Sequence, residues 1–403
     1  MTTPAHLPLP LAKRATLLLA AASAIGGAVA PVSVGLGGLV GAAQLGADRQ
    51  ALATLPITVS VVGAALASIP AALSMRRIGR RAGFIVGAAL GALGAATAVV
   101  AIQVSSFVVF LCSMLLIGAS NAFRQQYRFA AADASEPAFK ARAISWVLAG
   151  GVFTGVIGPQ VAIHGRGWLF ASPFAGPFVL AFALSVGSAL LLALLQVPPP
   201  APRAEERGGR PVLQIILGGR FLVAQIVAIA SYALMSLVMT ATPLAMVAHH
   251  HSQDHAQVAI QWHVIAMFAP AFVTGRVIAW IGKQWVAALG LTLIAVAAVI
   301  ALLGTGLAHF YTALILLGVG WSFGFVASTA MVAQLYQPSE AFRVQAVSEF
   351  VLFGVVALAS YLSGEILSSS GWDAVNYLVF PVVVLCLLLL GWQGLAERSR
   401  ARR

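Results

Sequence analysis

Four side chains with soft donor atoms recur at helical spacing in the second half of the chain. Met235 and Met239 lie four residues apart, and so do His263 and Met267. On an α-helix, residues four apart project from the same face, so each pair directs two donor atoms the same way. Thioether sulfur and imidazole nitrogen suit a soft cation such as copper far better than magnesium or calcium. The spacing therefore predicts a metal site built from two neighbouring helices.

The depth of these side chains favours the same prediction. If the first helix leads to a connection near residue 250 and the second leads away from it, Met239 and His263 lie at one level. Met235 and Met267 then lie about one turn deeper, so Cu(I) would find two successive sites, each weak enough for the ion to leave. The alternative is packing, because methionine commonly fills gaps in apolar cores and a single histidine often hydrogen-bonds across helices.

Further metal-binding side chains lie in the connection between the two pairs. They are Met246, His249, His250, His251 and His255. A histidine-rich tract at the mouth of a pathway could collect metal ions as an accessory to the main site. A solvated polar turn explains the same residues equally well, so both interpretations stay open.

The composition indicates which elements carry these residues. Of the 403 residues, 60% are hydrophobic and only 8% are charged, and the mean hydropathy is +0.96, which is typical of a chain embedded in a lipid bilayer. Apolar runs of about 20 residues, enough to cross a bilayer as helices, recur along the whole length. We therefore predict an all-α membrane protein with twelve transmembrane helices, near residues 15–43, 52–75, 82–104, 107–133, 141–164, 174–197, 220–248, 256–281, 285–306, 308–334, 343–369 and 373–394.

The formal net charge of +12 follows the predicted topology. Basic residues cluster at every second connection and at both termini, whereas Arg49 and Arg166 fall on the other side. By the positive-inside rule, both termini are expected to be cytoplasmic, and nucleic acid is not an expected partner. The first apolar stretch is too long for a removed signal peptide, so we expect it to be a transmembrane helix.

A proline-rich and charged stretch divides the apolar pattern in the middle. It predicts an N-terminal six-helix bundle at residues 1–197, a cytoplasmic linker at 198–219, and a C-terminal bundle at 220–403 that carries the metal-ligand pairs on helices seven and eight. The two halves also share residues at a nearly constant offset: Gly79 with Gly282, Gly167 with Gly371, 118–123 with 320–325, and 139–145 with 342–348. Parallel repeats of this kind place the substrate near the midplane between the halves.

Charged residues near the predicted inner ends of the N-terminal helices are candidates for gating or for lining a cavity. They are Arg124, Arg128, Asp133, Arg76 and Arg77. Because charges within a bilayer are costly, we expect the first two to line the inner cavity or to pair with Asp133 and Glu136.

Several of these motifs resemble those of the major facilitator superfamily. Residues 70–83 look like its loop between helices two and three, with Arg76 at the position of the usual aspartate, and residues 151–159 look like its glycine-proline motif of helix five. Gly320-Trp321-Ser322-Phe323, the segment 336–345 and the Gly371-Trp372 pair resemble the CcoA-type copper importers of bacteria. That resemblance implies paired methionine and histidine-methionine ligands in helices seven and eight, which match Met235, Met239, His263 and Met267.

The resemblance also implies a function. It predicts a carrier in the bacterial cytoplasmic membrane that imports copper by alternating access and supplies haem-copper (cbb-type) cytochrome oxidase assembly. Copper would be the transported substrate and no resident cofactor is expected, while periplasmic or cytoplasmic copper chaperones are candidate partners.

Two other classes of function are alternatives to copper import. The first is a carrier of a small organic solute with the same fold, which could be a vitamin transporter, for example of riboflavin, or a drug exporter. In that case Trp321, Phe323 and Phe325 could stack on a planar ring of the substrate. An enzyme is not expected, because the chain contains no recognisable nucleophile, base and orienting group, no phosphate-binding loop and no closed zinc site.

Overall fold

The computed structural model describes residues 7–169, 172–197, 209–337 and 340–401, and secondary structure in these segments is helical. Half of the predicted linker, residues 198–208, lies outside the described residues. The part that follows is an extended stretch and the short helix α9 (Val212–Ile216).

The N-terminal half contains the helices α1 (Leu9–Gly27), α2 (Val29–Leu45), α3 (Leu55–Ile78), α4 (Arg80–Gln103), α5 (Phe107–Arg124), α6 (Tyr127–Asp133), α7 (Pro137–His164) and α8 (Ala175–Ala193). A 3₁₀ helix, Ala47–Thr54, precedes α3. The predicted fourth transmembrane helix, 107–133, coincides with the apolar span Phe107–Asp133, in which a turn at Gln125 and Gln126 with helical backbone angles joins α5 to α6.

The C-terminal half continues with α10 (Gly219–Ala248), α11 (Gln253–Phe268), α12 (Ala271–Ile281), α13 (Lys283–Leu303), α14 (Leu307–Val332), α15 (Ala341–Tyr377) and α16 (Val379–Ala401). Helices α11 and α12 meet at an angle of 44°. Pro270 lies at this bend, and proline lacks the N–H that a continuous helix requires.

Twelve crossings agree with this element order. Within the described part of the chain, ten helical segments are long and apolar enough to span a membrane, and the bent pair α11 and α12 makes eleven. One of these segments, Arg343–Ala396, has 54 residues, which is long enough for two crossings of about 20 residues each. The prediction of an all-α membrane protein is confirmed.

Two pairs of glycines that mark the internal repeat have matching backbone conformations. Gly79 has a φ of 84° and Gly282 a φ of 88°, and each immediately precedes a transmembrane helix. Gly167 and Gly371 have φ values of 67° and 82°. Residues with a side chain rarely adopt this left-handed region, so the sequence repeat reflects a shared backbone requirement at these turns. The proposed limits of the two bundles remain a prediction.

Because an even number of crossings separates them, both ends of the described chain lie on one face of the bundle, here called the terminal face. Its connections include residues 79, 134–136, 282 and 333–340. The opposite face, here called the distal face, carries the connections at 46–54, 104–106, 165–174 and 249–252.

An ion pair at the terminal face differs from the expected charge pairing. Asp133, which we expected to pair with Arg124 or Arg128, instead accepts a hydrogen bond from Arg80 at the start of α4. The pair ties the turn between α3 and α4 to the end of α6. Asp133 is exposed, and Arg77 is exposed at the end of α3. Thus Arg124 and Arg128 do not have this carboxylate as a partner.

The end of the linker is fastened to the C-terminal half by a second ion pair. Glu340, which is 1% exposed, accepts hydrogen bonds from the backbone N–H, Nε and Nη2 of Arg210, and from the backbone N–H of Gln337. Arg210 also donates to the carbonyl of Leu335 at 2.9 Å. The hydrogen bond from the Arg210 side chain, followed by those from the two backbone N–H groups, lowers the pKa of Glu340 to about 2.

This contact predicts a pH-dependent stability. Since the pKa of Glu340 is lower in the folded protein than in the unfolded chain, its stabilising effect is present above the unfolded value of about 4.5 and is lost as pH falls toward 2. Glu340→Gln is therefore expected to lower the melting temperature at pH 7, and the difference from the unsubstituted protein should narrow at pH 3.5. Thermal unfolding in detergent measures this. Glu136→Gln, at an exposed residue of the other half, is the control. An equal decrease of the melting temperature in both variants would contradict a stabilising contact between Glu340 and Arg210.

Candidate functional site

The four residues predicted to bind copper all lie in the interior of the C-terminal half. Met235, Met239 and Met267 are between 4% and 9% exposed and belong to one apolar core cluster, and His263 is fully buried. This burial suits metal ligands and packing side chains equally. Among the described residues, no group of three or more His, Cys, Asp or Glu side chains could hold a metal ion.

The hydrogen bond of His263 defines its tautomer. Its Nδ1 lies 2.8 Å from the carbonyl oxygen of Leu314 in α14. A carbonyl can only accept, so Nδ1 carries the proton and Nε2 has the free lone pair. Nε2 has no hydrogen-bond partner. The bond joins α11 to α14 within one half.

The histidine tract forms the turn that connects α10 to α11. His251 donates from Nε2 to the carbonyl of Thr305 at 2.6 Å, and its ring contacts Phe310 edge-on. His250 adopts a positive φ of 63°, while His249, His250 and His255 are exposed. Met246 is fully buried in the core of the C-terminal half. At least His251 therefore has a local structural role in the turn.

A cluster of four aromatic side chains lies where the C-terminal half meets the N-terminal half. Tyr232 from α10 contacts Trp321, Phe325 and Phe353 edge-on, at centroid distances of 5.4, 5.3 and 5.9 Å. Trp321 and Phe325 stack at 5.2 Å with an interplanar angle of 14°. We call these four residues the aromatic cluster. Tyr232, Phe325 and Phe353 pack against a small group of buried residues, as does Val61 of α3, so the cluster borders the other half.

The aromatic cluster agrees only in part with the residues expected to stack on a planar ring. Trp321 and Phe325 belong to it, whereas no ring contact of Phe323 is found among the described residues; Phe323 and Phe325 both pack against the core of the C-terminal half. Tyr232 and Phe353, which come from different helices, are not among the residues predicted from the sequence. The buried Nε1 of Trp321 has no hydrogen-bond partner. A buried indole N–H usually finds an acceptor, and a bound molecule could supply one.

Two arginines of the N-terminal half face this region. Arg124 at the end of α5 lies near the Tyr232 hydroxyl, and Arg128 in α6 lies near the carboxylate of Glu349 in α15. Both arginines are half-buried and Glu349 is exposed. These cross-half interactions are not ion pairs in the described structure, since the groups are not within ion-pair distance. The gap between the halves is therefore lined by charged groups on the side toward the terminal face.

Polar contacts join the two halves near the distal face. Arg166 and Asp254 form an ion pair at 3.0 Å. Gln160 donates to Gln261 at 2.8 Å. Thr58 donates to Ser360 at 3.3 Å, in a buried position. These contacts bridge the two halves on the distal side, while Glu349 on the terminal side is exposed.

Small residues in α7 allow the halves to approach closely. A Cβ on Gly155 would lie 3.0 Å from the backbone nitrogen of Ile265 in α11, and one on Gly151 would lie 2.7 Å from the ring of Phe268. Gly158 instead faces Ala28 and Pro31 within its own half. The glycines of residues 151–159 therefore serve close helix packing, as small residues do in membrane interiors.

Weakening the distal contacts is expected to expose the interior. We expect Arg166→Gln combined with Gln160→Ala to raise the rate at which a membrane-impermeant maleimide labels Thr58→Cys. A loss of about 1 kcal/mol from the closed state would raise the rate roughly fivefold. All proteins in this experiment also carry Cys112→Ser and Cys386→Ser, because both native cysteines are free thiols that could react with the maleimide. Arg49→Gln, on the same face, is the control; unchanged labelling in the double variant would contradict the closure.

Comparisons with known proteins support a transporter. Residues 224–402 match the model of the Major Facilitator Superfamily. The riboflavin transporter RfnT of Brucella anthropi is 44% identical over 381 residues, covering 94% of this chain and 95% of that protein. The uncharacterized MFS-type transporter YdeG of Bacillus subtilis is 30% identical, covering 93% and 92% respectively. The crystal structure of the human organic anion transporter MFSD10 (TETRAN) has a TM-score of 0.69 at 14% identity, covers 95% of this chain and 100% of that one, and supports the fold alone.

These findings correct the predicted function. The expectation of copper import is wrong, because a relative with 44% identity over nearly the whole chain is a riboflavin transporter. Supply of copper to cytochrome oxidase and copper chaperones as partners lose their basis with it. The physical reason for the error is that methionines four residues apart on an apolar helix also satisfy ordinary core packing. A metal-ligand role for Met235, Met239, His263 and Met267 remains a prediction without a transport function to support it.

Proposed function

Because the chain belongs to the major facilitator superfamily, we propose that it is a secondary transporter of a planar heteroaromatic vitamin of the riboflavin type. The observation that carries this proposal is the aromatic cluster at the junction of the two halves. Trp321 and Phe325 stack on each other, and Tyr232 and Phe353 complete a surface of aromatic rings. A flat tricyclic ring gains both apolar burial and stacking against such a surface.

The position of the aromatic cluster supports transport by alternating access. Carriers built from two parallel six-helix halves bind their substrate near the midplane between the halves and expose it to each side in turn. In the present conformation the Arg166–Asp254 ion pair and its neighbours close the distal face. The substrate would enter or leave at the terminal face, past Arg128 and Glu349.

The orientation in the membrane follows from the distribution of basic residues. The terminal face carries most of the lysine and arginine residues, so we propose that it is cytoplasmic and that the protein lies in the bacterial inner membrane. The conformation described above is then inward-facing.

A bacterium that can neither synthesise nor import riboflavin provides the test. Expression of the chain is expected to restore growth at a riboflavin concentration that does not support the same strain carrying an empty vector. Protein present in the membrane at a normal level without any restoration of growth would contradict the proposal. Unchanged cellular copper content in the same cells is also expected.

A further inference from the structure

Arg124 is a cation within the membrane-spanning region that has no carboxylate partner in the described part of the chain. It is half-buried at the end of α5, and its Nη2 donates to Oδ1 of Asn121 in the preceding turn. Among the described residues, no Asp or Glu lies within ion-pair distance of it. A charged side chain inside a bilayer is costly, so arginines there are expected to face a cavity and to meet hydrogen-bond acceptors. Asn121 occupies only one of the five donors of the guanidinium.

The neighbouring arginine has a different environment. Arg128 interacts electrostatically with Glu349 across the gap, and its guanidinium lies 4.8 Å from the centre of the Phe129 ring. Asp133, the other nearby acid, is held by Arg80. Of the two arginines, Arg124 therefore lacks charge compensation from the protein.

Arg124 also lies opposite the aromatic cluster. Its guanidinium lies near the hydroxyl groups of Tyr127 and Tyr232, and Tyr232 contacts the other three rings of that cluster. Its Nη1 is 3.2 Å from the point that a Cβ on Gly27 would occupy, so it borders α1 in the wall of the N-terminal half. A flat molecule stacked on the aromatic cluster would present one edge to this guanidinium.

We infer that Arg124 determines substrate specificity by binding the carbonyl-rich edge of the planar ring. This inference rests on the proposed function. The flavin ring carries two carbonyl oxygens on its pyrimidine-dione edge, and a guanidinium offers several N–H donors in one plane that match such acceptors. The aromatic cluster then provides stacking that any flat ring could use, while Arg124 selects rings that carry acceptors. Because the two groups belong to opposite halves, a bound ring contacts both.

Binding to the purified full-length protein in lipid nanodiscs tests the inference. The ligands are riboflavin, lumichrome, which keeps the dione but lacks the ribityl chain, phenazine, a tricycle without carbonyl groups, and flavin mononucleotide, which adds a phosphate. Arg124→Met is expected to weaken riboflavin and lumichrome binding roughly tenfold to hundredfold, because a hydrogen bond to a charged group is lost. Phenazine binding should not change. Arg124→Lys keeps the positive charge but lacks the planar guanidinium, so it should give intermediate affinities for riboflavin and lumichrome. Arg142→Met, at an exposed position, is the control.

The outcomes separate this inference from the proposed function. If the unsubstituted protein binds riboflavin and folded Arg124→Met binds it equally well, the role of Arg124 is overturned while the proposed function stands. If flavin mononucleotide binds more tightly than riboflavin and Arg124→Met removes only that advantage, Arg124 recognises a phosphate and the carbonyl assignment is overturned. If the unsubstituted protein binds no flavin, both fall. Should Arg124→Met fail to fold, Arg124→Lys provides the test. Unchanged riboflavin and lumichrome affinities in that variant would overturn the proposal that the planar guanidinium of Arg124 binds the flavin carbonyl groups.

Discussion

Trp321→Ala is expected to weaken riboflavin binding roughly tenfold to hundredfold, the range expected when a ring loses a stacking partner. Trp321 is 9% exposed, stacks on Phe325 and contacts Tyr232. Its removal deletes part of the surface for the planar ring and the unpartnered Nε1 donor. Trp321→Phe keeps an aromatic face but no donor, so an intermediate affinity is expected. Equilibrium titration, followed by quenching of riboflavin fluorescence, measures the change.

The matched control is Trp392→Ala. Trp392 lies in α16, is 62% exposed, and belongs to no part of the proposed site. Its replacement should leave riboflavin affinity unchanged. Equal affinities of the Trp321→Ala, Trp392→Ala and unsubstituted proteins would show that the ring binds elsewhere, and the proposed site would have to be abandoned.

The second large effect is expected for Gly290→Ala, which should lower the stability of the C-terminal half. A Cβ on Gly290 would lie 2.2 Å from the backbone nitrogen of Gly324 and 2.6 Å from the carbonyl oxygen of Gly320. These are backbone atoms, so α13 and α14 would have to separate. Overpacking of this kind costs about 1–3 kcal/mol, and occasionally more. Trp321 and Phe325 lie on α14 beside this contact, so riboflavin binding should weaken too.

Gly391→Ala is the control for this substitution. Gly391 lies in α16, and nothing is within 4 Å of the position that its Cβ would occupy. Alanine in the interior of a helix is favoured over glycine by about 0.5–1 kcal/mol, so this variant should be as stable as the unsubstituted protein or slightly more stable. Thermal unfolding monitored by size-exclusion chromatography compares the two. A melting temperature of Gly290→Ala equal to that of Gly391→Ala would contradict the close contact of α13 and α14.

Most of the fold could be predicted from the sequence, because a bilayer permits few solutions. Backbone groups in lipid must be satisfied within helices, so apolar runs of sufficient length are helices and their number defines the topology. The repeat was visible at Gly79 and Gly282 because both turns need a positive φ that few other residues adopt. The fourth transmembrane helix was predicted over 107–133, and an apolar helical span with these bounds is found.

The site was predicted less well, because its residues are brought together by packing between distant helices. Tyr232 is more than one hundred residues from Phe353 in the chain and meets both Phe353 and Trp321 only in the folded protein. Periodicity within one helix cannot reveal such a cluster. The methionine pairs did have a periodic signal, but a four-residue spacing is also the period of a buried helix face. The charge partner of Asp133 was missed for a similar reason, since Arg80 reaches it from another helix.

Counterflow into proteoliposomes tests the central claim, that the two halves enclose a site for a planar vitamin and carry it across the membrane. Purified protein is reconstituted into liposomes preloaded with unlabelled riboflavin, and radiolabelled riboflavin is added outside at low concentration. We expect radiolabelled riboflavin to accumulate transiently inside the liposomes above its outside concentration. This accumulation should require the preloaded vitamin and should be strongly reduced in Trp321→Ala. Accumulation no greater than in protein-free liposomes, with protein that is folded and inserted, would contradict it.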